Sequence, residues 1–335
     1  MPDYLSLCCI IKDEDNLEEF IYYYFILGVN KIYIYDNESA VPIKQRLNNF
    51  FFNQICVIID FPGKCQQMNA YNHCLQHYGH LTKWLIVVDG DEYIVPKTVF
   101  KLPDLLKHHE EKHAIGINWV FFGTSFHDIK PNGLLVDNFR RCDKAQDRHV
   151  KVILQPQFTQ QMVNPQFGIF NDKNKYTDIK NNVIEQLAWN ENYTADIIQI
   201  NHYTMKSLEQ ANQKHYRGNA DSLNLRSTYD KNLHNFANNV VDNYLPDKYL
   251  SYIYRMIEVG AVNWRTYKAL NPDISHLNEQ ETYRHIVEHC LTEIRPLHLR
   301  NKFPNFNIKI YREENPHLNE YDDVYVEVDY ITKNS

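Results

Sequence analysis

The sequence predicts an α/β protein with a mixed, mostly parallel sheet in a Rossmann-like arrangement, followed by a smaller, mainly helical C-terminal region. Short apolar runs alternate with segments of helical periodicity over residues 4–88, and the links between them are short. This alternation is typical of strand–helix–strand units in a parallel sheet. The apolar run at residues 84–88, WLIVV, offers no polar side to solvent, as expected for a strand covered on both faces.

The individual elements follow from local periodicity and turn residues. We predict strands at residues 4–11, 31–35, 55–60, 84–88, 114–122, 133–138, 149–154 and 195–201, with helices at 17–28, 45–52 and 66–78. Gly28 is suited to end the first helix because it adopts the left-handed conformation without strain. Ser207 and Gln210 form an S-x-x-Q capping box, which predicts another helix from that point.

Sheet signals end near residue 228, where we place a boundary between residues 1–228 and residues 229–335. Two helical segments are expected at 244–270 and 278–294, separated at Pro272. Residues 306–311 and 324–331 alternate apolar and polar side chains, which favours a terminal strand pair.

Composition restricts the class of partner. The chain has 35 Lys and Arg against 42 Asp and Glu, a net charge of −7, which argues against a nucleic-acid-binding protein. Seven scattered cysteines without a C-x-x-C motif indicate reduced thiols. We see no signal peptide and no stretch apolar enough to cross a membrane. We therefore expect a cytoplasmic protein without an integral membrane segment, in the host cytoplasm if the protein is viral; its oligomeric state is not indicated.

Two carboxylates, Asp89 and Asp91, directly follow the most apolar strand. Gly90 allows the sharp turn that lets them converge, and converging carboxylates suit Mg²⁺ or Mn²⁺. Polar residues at Asp13 and Asp36 follow two earlier strands, and parallel strands end at one edge of a sheet. The alternative is a surface turn, because Asp-Gly is common turn chemistry.

Cationic side chains follow the strand predicted at residues 195–201. Lys214 and Arg217 lie in the last turn of the helix that begins after Ser207, and Gly218 follows. They either stabilise the negative end of the helix dipole or contact a diphosphate, for which the arginine fork is suited.

Five blocks of sequence, in order, resemble the metal-dependent GT-A glycosyltransferases, within their family-2-like and family-92-like group. The blocks are IIKDEDNLEEFIYYYFILGVNKIYIYDNES, KCQQMNAYN, WLIVVDGDEYIVP, INWVFFGTSFH and INHYTMKSLEQANQKHYRG. The resemblance covers residues 4–226 and departs at 164–167, where a histidine is expected. Downstream, the segment around Asn271-Pro272-Asp273 resembles a helical Asn-Pro-Asp module that accompanies glycosyltransferases in bacteria and large viruses.

The resemblance implies a role for each site residue. It places Asp13, Glu14 and Asp36 at the nucleoside, Lys64 and Asn69 at the donor, Asp89, Asp91 and His202 at Mn²⁺ or Mg²⁺, and Lys206 and Arg217 at the leaving group. The implied activity is hexosyltransferase-like transfer from a nucleotide sugar, for which we expect a UDP-sugar, to a glycan or protein-linked hydroxyl.

The chemistry of sugar transfer is consistent with these roles. Negative charge builds on the departing phosphate, and a metal and cations stabilise it. Inversion also needs a base for the acceptor proton, for which Asp128 and His127 in the loop after the fifth strand are candidates, unless they are ordinary polar loop residues.

Two other functions stay open on the sequence. The first is a phosphohydrolase of the haloacid dehalogenase type, whose nucleophile motif also places two aspartates after an apolar strand. The late position of this strand and Tyr93 after the second aspartate count against it. The second is a non-catalytic protein that binds nucleotide sugars.

Overall fold

The computed structural model describes residues 2–217 and 229–334, the side chain of Arg217 excepted. Its strands are Asp3–Ile11 (β1), Lys31–Asp36 (β2), Cys56–Asp60 (β3), Thr82–Val87 (β4), Glu92–Pro96 (β5), Ala114–Phe121 (β6), Arg141–Cys142 (β7), Val150–Leu154 (β8), Thr159–Asn164 (β9), Phe167–Phe170 (β10), Tyr176–Thr177 (β11), Ile198–His202 (β12) and Val240–Val241 (β13). Its α-helices are Leu17–Ile26 (α1), Ile43–Arg46 (α2), Phe50–Ile55 (α3), Gln67–Tyr78 (α4), Leu102–Leu106 (α5), Leu135–Asn138 (α6), Leu208–Arg217 (α7), Tyr244–Gly260 (α8), Trp264–Leu270 (α9), Glu279–His289 (α10), Leu299–Lys302 (α11), Ile308–Glu314 (α12) and Asp323–Asn334 (α13).

The main sheet has the order β3-β2-β1-β4-β8-β6-β12-β5, with β11 paired to β6. Strands β1 to β4 run parallel to one another, whereas β8 is antiparallel to both of its neighbours, β4 and β6. Strand β12 is parallel to β6 and antiparallel to β5. The α/β class and the mixed sheet are therefore confirmed.

Register at the carboxyl end of the sheet positions the site. Ile11 at the end of β1 pairs with Asp36 at the end of β2, and Val87 at the end of β4 pairs with Cys8 on β1. The polar residues that follow these strands therefore leave the sheet at the same edge. The prediction that the polar residues after these strands share one edge of the sheet is confirmed.

Helix α1 fixes the strand that follows the two aspartates. It ends at Ile26, and Gly28 follows with φ 102°. The N–H groups of Gly28 and Val29 donate to the carbonyls of Phe25 and Tyr24, both at 3.0 Å, which is a Schellman motif. The buried hydroxyls of Tyr23 and Tyr24 donate to backbone carbonyls of β5, those of Ile94 and Glu92, at 2.6 and 2.8 Å. A buried tyrosine needs such a partner, so these bonds also set the position of β5.

Contacts divide the chain into two compact units. One comprises Met1–Leu47 and Ile55–Leu250, and the other Asn48–Gln54 and Ser251–Ser335. The boundary predicted at residue 228 lies outside the described residues and stays a prediction. Among residues 2–217 and 229–334, no helix is both long and apolar enough to cross a membrane.

The strand predicted at 133–138 is wrong, because this segment contains the short helix α6. The buried carboxylate of Glu19 accepts the first N–H groups of that helix, from Leu135 and Val136, at 2.6 and 2.9 Å. A carboxylate at a helix N-terminus stabilises the helix, and local periodicity does not reveal this distant partner.

The predicted terminal strand pair is also wrong, because residues 306–311 and 324–331 lie largely in helices α12 and α13. Asn307 caps α12 by accepting the N–H of Lys309 at 3.0 Å, and Asp322 caps α13 by accepting the N–H of Tyr325 at 2.7 Å. These caps satisfy N–H groups that an isolated helix end leaves unpaired, and they outweigh the alternating pattern.

The same local structure occurs twice in the C-terminal unit. In each copy a capped helix ends at Asn-Pro, a 3₁₀ turn follows, and a second capped helix begins. The asparagine side chains of Asn271 and Asn315 donate to the carbonyls of Tyr267 and Tyr311 at 2.7 and 3.0 Å. The equivalent residues, 44 positions apart, are Asn263 and Asn307, Tyr267 and Tyr311, Asn271 and Asn315, and Asn278 and Asp322. The Asn-Pro-Asp segment is thus the first copy of an internal duplication.

The cap of the second copy leads to a prediction about local stability. Replacing Asn307 by alanine removes the acceptor for the N–H groups of Lys309 and Ile310, and helix α12 should lose about 1 kcal/mol. Hydrogen exchange of the α12 amides in the full chain should quicken accordingly. The control is Asn334→Ala at the far end of α13, which should not change exchange in α12, and equal exchange in both variants would contradict the assigned cap.

Candidate functional site

The two aspartates lie in the turn that connects β4 to β5. The backbone N–H of Asp89 donates to the Glu92 carboxylate at 2.9 Å, and the Glu92 N–H donates to the Asp89 carbonyl at 3.1 Å. A Cβ atom on Gly90 would approach the Ile11 side chain to 2.6 Å. The Ile11 side chain would have to shift to admit any residue other than glycine between the two carboxylates.

Asp91 is buried and surrounded by cations. Its Oδ2 accepts from the Lys214 ammonium at 2.5 Å, and its Oδ1 lies 3.7 Å from Nε2 of His202. Burial alone would raise the pKa of Asp91, but Lys214, His202 and Lys206 together hold this pKa well below its usual range. The surrounding cations therefore favour the carboxylate form of Asp91.

His202 ends β12 and faces Asp91 as a neutral imidazole. Its backbone is in register with Glu92 on β5 and Phe121 on β6, which places it beside the turn. Burial lowers the pKa of His202 to about 4, although Asp91 favours its charged form. Among the described residues its buried Nδ1 has no hydrogen-bond partner. A neutral imidazole is the form of histidine that binds a metal ion.

Asp89 has a different environment, dominated by Lys151. Its Oδ1 accepts from Gln67 and Tyr71 at 2.7 and 3.0 Å, and its Oδ2 accepts from the Lys151 ammonium at 2.9 Å. The same ammonium lies 3.4 Å from Glu92, which is fully buried. Burial raises the pKa of Glu92 well above its ordinary value. Both oxygens of Asp89 are therefore engaged with protein groups.

The residues around the turn meet the requirements of a divalent cation in part. Within the described part of the chain, no group of three or more His, Cys, Asp and Glu side chains is gathered closely enough to hold a metal. Asp91 and His202 do converge, and Mg²⁺-like ions are commonly held by one or two carboxylates together with substrate phosphates. The pair therefore fits a metal completed by a diphosphate, whereas Asp89 faces Lys151.

A polar cavity of about 220 Å³ adjoins this cluster. It is lined by Asp13, Glu14, Asp15, Thr204, Met205, Lys206, Gln210, Gln213 and Lys214. Lys206 forms a buried ion pair with Glu14, which joins the loop after β1 to the segment before α7. The capping box is confirmed, since Gln210 N–H donates to the Ser207 hydroxyl at 3.2 Å. The structure thus brings Glu14 and Lys206 together beside Asp91.

The carboxylates after β1 and β2 organise their own loops. Asp36 accepts the N–H groups of Ser39 and Ile43 at 3.0 and 2.9 Å, and Asp13 accepts the N–H of Ala40 at 2.7 Å. These bonds fix the loop after β2 at the edge of the cavity.

The remaining predicted donor residues lie outside this cluster. Lys64 and Asn69 are exposed, and the Asn69 amide donates to Gln66 at 2.9 Å. Arg217 ends helix α7, but its side chain, like Gly218, lies outside the described residues. Gln67, two positions before Asn69, contacts Asp89 instead.

His127 and Asp128 connect the loop after β6 to helix α7. Their backbone carbonyls accept the N–H groups of Leu208 and Glu209 at 3.1 and 3.0 Å. The exposed Asp128 carboxylate lies 3.0 Å from Nε2 of His234, and hydrogen bonding to this ring lowers the pKa of Asp128. The loop thus anchors the start of α7 and presents Asp128 to solvent.

The sequence does not reveal that Lys151 and Tyr71 contact Asp89. Lys151 is a single lysine within the otherwise apolar strand β8, where burial on both sides makes a charge unexpected. Such a position signals a buried ion pair, but only the pairing of β8 with β4 identifies Asp89 as the partner.

Comparison with known proteins gives the family. Residues 9–227, more than half of the chain, match the sequence profile of glycosyltransferase family 92. The chain belongs to glycosyltransferase family 92. This family 92 chain is 24% identical over 135 residues to a family 92 protein of Ricinus communis, covering 40% of the chain and 24% of that protein. It is 26% identical over 131 residues to a family 92 protein of Oryza sativa subsp. japonica, covering 38% of the chain and 22% of that protein. The match therefore spans about a quarter of each relative's length.

Solved structures resemble the family 92 chain only in part. A putative glucose-1-phosphate thymidylyltransferase from Bacillus anthracis aligns with a TM-score of 0.26 and 8% identity, covering 39% of this chain and 62% of that one. A 4-diphosphocytidyl-2C-methyl-D-erythritol synthase from Anaerococcus prevotii aligns with a TM-score of 0.26 and 8% identity, covering 46% of this chain and 71% of that one.

Proposed function

We propose that this chain is a metal-dependent, hexosyltransferase-like glycosyltransferase of GT-A type. It moves a sugar from a nucleotide-sugar donor, a UDP-sugar, to a hydroxyl of a glycan or a protein-linked acceptor. The observation that carries the proposal is the buried Asp91 carboxylate between neutral His202 and the Lys214 ammonium. Family membership supports the transferase class, and the site's charge supports a diphosphate ligand.

In this proposal Asp91 and His202 hold Mn²⁺ or Mg²⁺. The bound ion supplies Lewis-acid stabilisation of the negative charge that builds on the departing diphosphate. Lys214 donates a hydrogen bond to Asp91 in the ligand-free site and to a phosphate oxygen when the donor binds. Lys206 adds a second positive charge beside the cavity. Asp89, held by Lys151, positions the turn rather than completing the ion's ligand set.

The nucleoside part of the donor is assigned to the edge formed after β1 to β3. Asp13, Glu14 and Asp36 would contact the base or ribose, Lys64 and Asn69 the donor from the exit of β3, and Arg217 the leaving group. The cavity beside Glu14 and the fixed loop after β2 support this placement. Asp128 and His127 remain candidates for the base on the acceptor side.

A thermal-shift panel of nucleotide sugars, each with and without Mn²⁺, tests the proposal. A ligand that binds only the native state at 100 times its Kd stabilises it by about 2.7 kcal/mol. This stabilisation corresponds to a rise in Tm of several degrees, at about 2–4 °C per kcal/mol for a domain of this size. We expect a UDP-sugar to raise Tm with Mn²⁺ and to have little effect without it. If no nucleotide sugar stabilises the chain under either condition, the proposal is wrong.

The two alternative functions predict other outcomes of the same panel. A phosphohydrolase would be stabilised by phosphomonoesters and would release inorganic phosphate from them. A non-catalytic binding protein would bind a nucleotide sugar with metal and return it intact. The cytoplasmic location is also a proposal, which imaging of the tagged chain would test.

A further inference from the structure

A row of aromatic rings leads from the candidate site to the protein surface. The Trp119 ring centroid lies 4.6 Å from that of His202, and the His149 ring lies nearly parallel to Trp119 at 5.3 Å. Trp189 packs edge-on against His149 at 6.1 Å and is 39% exposed. Since His202 faces Asp91, consecutive contacts connect the charged cluster to an exposed tryptophan.

The sheet explains why these rings lie in a row. His149 immediately precedes β8, and its carbonyl accepts the N–H of Trp119 on β6 at 3.0 Å. His149 and Lys151 are two residues apart in an extended segment, so their side chains share one face of the sheet. Lys151 binds Asp89, so the row begins on the sheet face that carries the charged cluster.

Asp147 and His149 form an oriented pair within this row. One carboxylate oxygen of Asp147 lies 2.5 Å from Nδ1 of His149 and also accepts the His149 backbone N–H at 2.9 Å. A carboxylate at Nδ1 holds the proton on that nitrogen and leaves Nε2 as an acceptor. Among the described residues Nε2 has no partner, and the side chain is partly exposed. This arrangement is the usual one for a histidine base.

Two buried polar atoms beside the row lack partners. Nε1 of Trp119 and Nδ1 of His202 have no hydrogen-bond partner in the described part of the chain, although both residues are more than nine-tenths buried. Leaving such groups unpaired costs about 1–3 kcal/mol each, so buried polar groups are nearly always paired. Polar groups without a partner in the described part of the chain therefore lie along the row, next to the charged cluster.

We propose that His149 is the base for the acceptor hydroxyl, and that Trp119, His149 and Trp189 border a carbohydrate acceptor subsite. This inference rests on the proposed glycosyltransferase function. The acceptor oxygen bonds to the anomeric carbon of the donor sugar, while the bond from that carbon to the diphosphate oxygen breaks. The diphosphate leaves with the electron pair, and the hydroxyl proton passes to Nε2 of His149. This single displacement inverts the anomeric configuration.

Kinetics of His149→Asn test the inference, with methyl hexopyranosides as acceptors and the UDP-sugar selected by thermal shift as donor. Turnover should fall about 10²–10⁴-fold, the contribution of a general base. The low-pH limb of the kcat profile should disappear, whereas the Kd for the donor in Mn²⁺ should not change. In His149→Gly, added imidazole should restore turnover. His80→Asn, an exposed histidine before β4, serves as the matched control and should keep the wild-type profile.

Other variants keep the test decisive if His149→Asn is poorly folded. Asp147→Asn retains the ring but loses its orientation, so it should lower kcat with an unchanged donor Kd. Full turnover and an unchanged pH profile in both variants would overturn the inference. Loss of the low-pH limb of the kcat profile in Asp128→Asn would assign the base to the 127–128 loop instead. Absence of donor binding in the wild type would refute the proposed function itself, which separates the two failures.

Discussion

The Asp91→Asn variant is expected to lose about 10²–10³-fold in kcat/KM for the donor while remaining folded. Asp91 is the buried carboxylate that His202 and Lys214 surround, and an amide carries no charge to hold a divalent cation or to orient the ammonium. Removing one preorganised electrostatic contact at a developing charge typically costs this much. The measurement combines steady-state kinetics with calorimetric titration of Mn²⁺, whose affinity should fall in the same variant.

A matched control separates this effect from a general loss of charge. Asp196 is exposed and forms an ion pair with Lys180. It lies just before the first residue of β12, whereas His202 is the last residue of that strand. Asp196→Asn should therefore leave both kcat/KM and Mn²⁺ affinity at wild-type values. Full activity of Asp91→Asn would contradict the assigned role of Asp91.

The stability that the ion pair of Asp91 contributes also depends on pH. Its pKa is depressed in the folded state, so the carboxylate contributes stability above its unfolded pKa of about 3.9. This contribution is lost as the pH falls toward the folded value. The stability difference between wild type and Asp91→Asn should therefore shrink in acid, and a constant difference from pH 7 to pH 3 would contradict the pairing.

Replacement of Lys151 by methionine is expected to destabilise the protein by about 3–5 kcal/mol. The ammonium is fully buried and lies within 2.9 Å of Asp89 and 3.4 Å of Glu92. Removing it leaves the half-buried Asp89 carboxylate and the fully buried Glu92 carboxyl group without their cation, which is the costly way to break a buried ion pair. Urea denaturation followed by fluorescence measures the loss as a lower free energy of unfolding.

A double variant and a surface control sharpen this prediction. Adding Glu92→Gln to Lys151→Met removes the buried acidic group that has lost its cation, so part of the lost stability should return, as a double-mutant cycle would show. Lys44→Met breaks an exposed pair with Asp60 and should cost no more than about 1 kcal/mol. Equal losses from Lys151→Met and Lys44→Met would contradict the buried network.

Local signals predicted much of the first half of the fold. The parallel strands β1 to β4, the stop at Gly28 and the capping box at Ser207 depend on residues within a few positions of one another. The duplicated helices α12 and α13 were misread because the alternation of residues 324–331 resembles a strand. The features that decide for helices, the caps at Asn307 and Asp322, are equally local.

Residues that follow neighbouring parallel strands can be placed together from the sequence, whereas residues that antiparallel pairing brings together cannot. Asp91, His202 and Lys206 were found from strand ends and from resemblance. Lys151 and His149 were not, because their positions depend on β8 lying between β4 and β6. That order is set by packing across the whole sheet, which no local pattern encodes.

The central claim is that the cluster around Asp91 binds the diphosphate of a nucleotide sugar and releases it by sugar transfer. The most direct measurement is the release of nucleoside diphosphate from a UDP-sugar by the wild-type chain, with and without Mn²⁺, alongside the glycosylated product. The account predicts metal-dependent release in equal amounts with product. Tight binding without release, or release of inorganic phosphate from phosphomonoesters in its place, would contradict it.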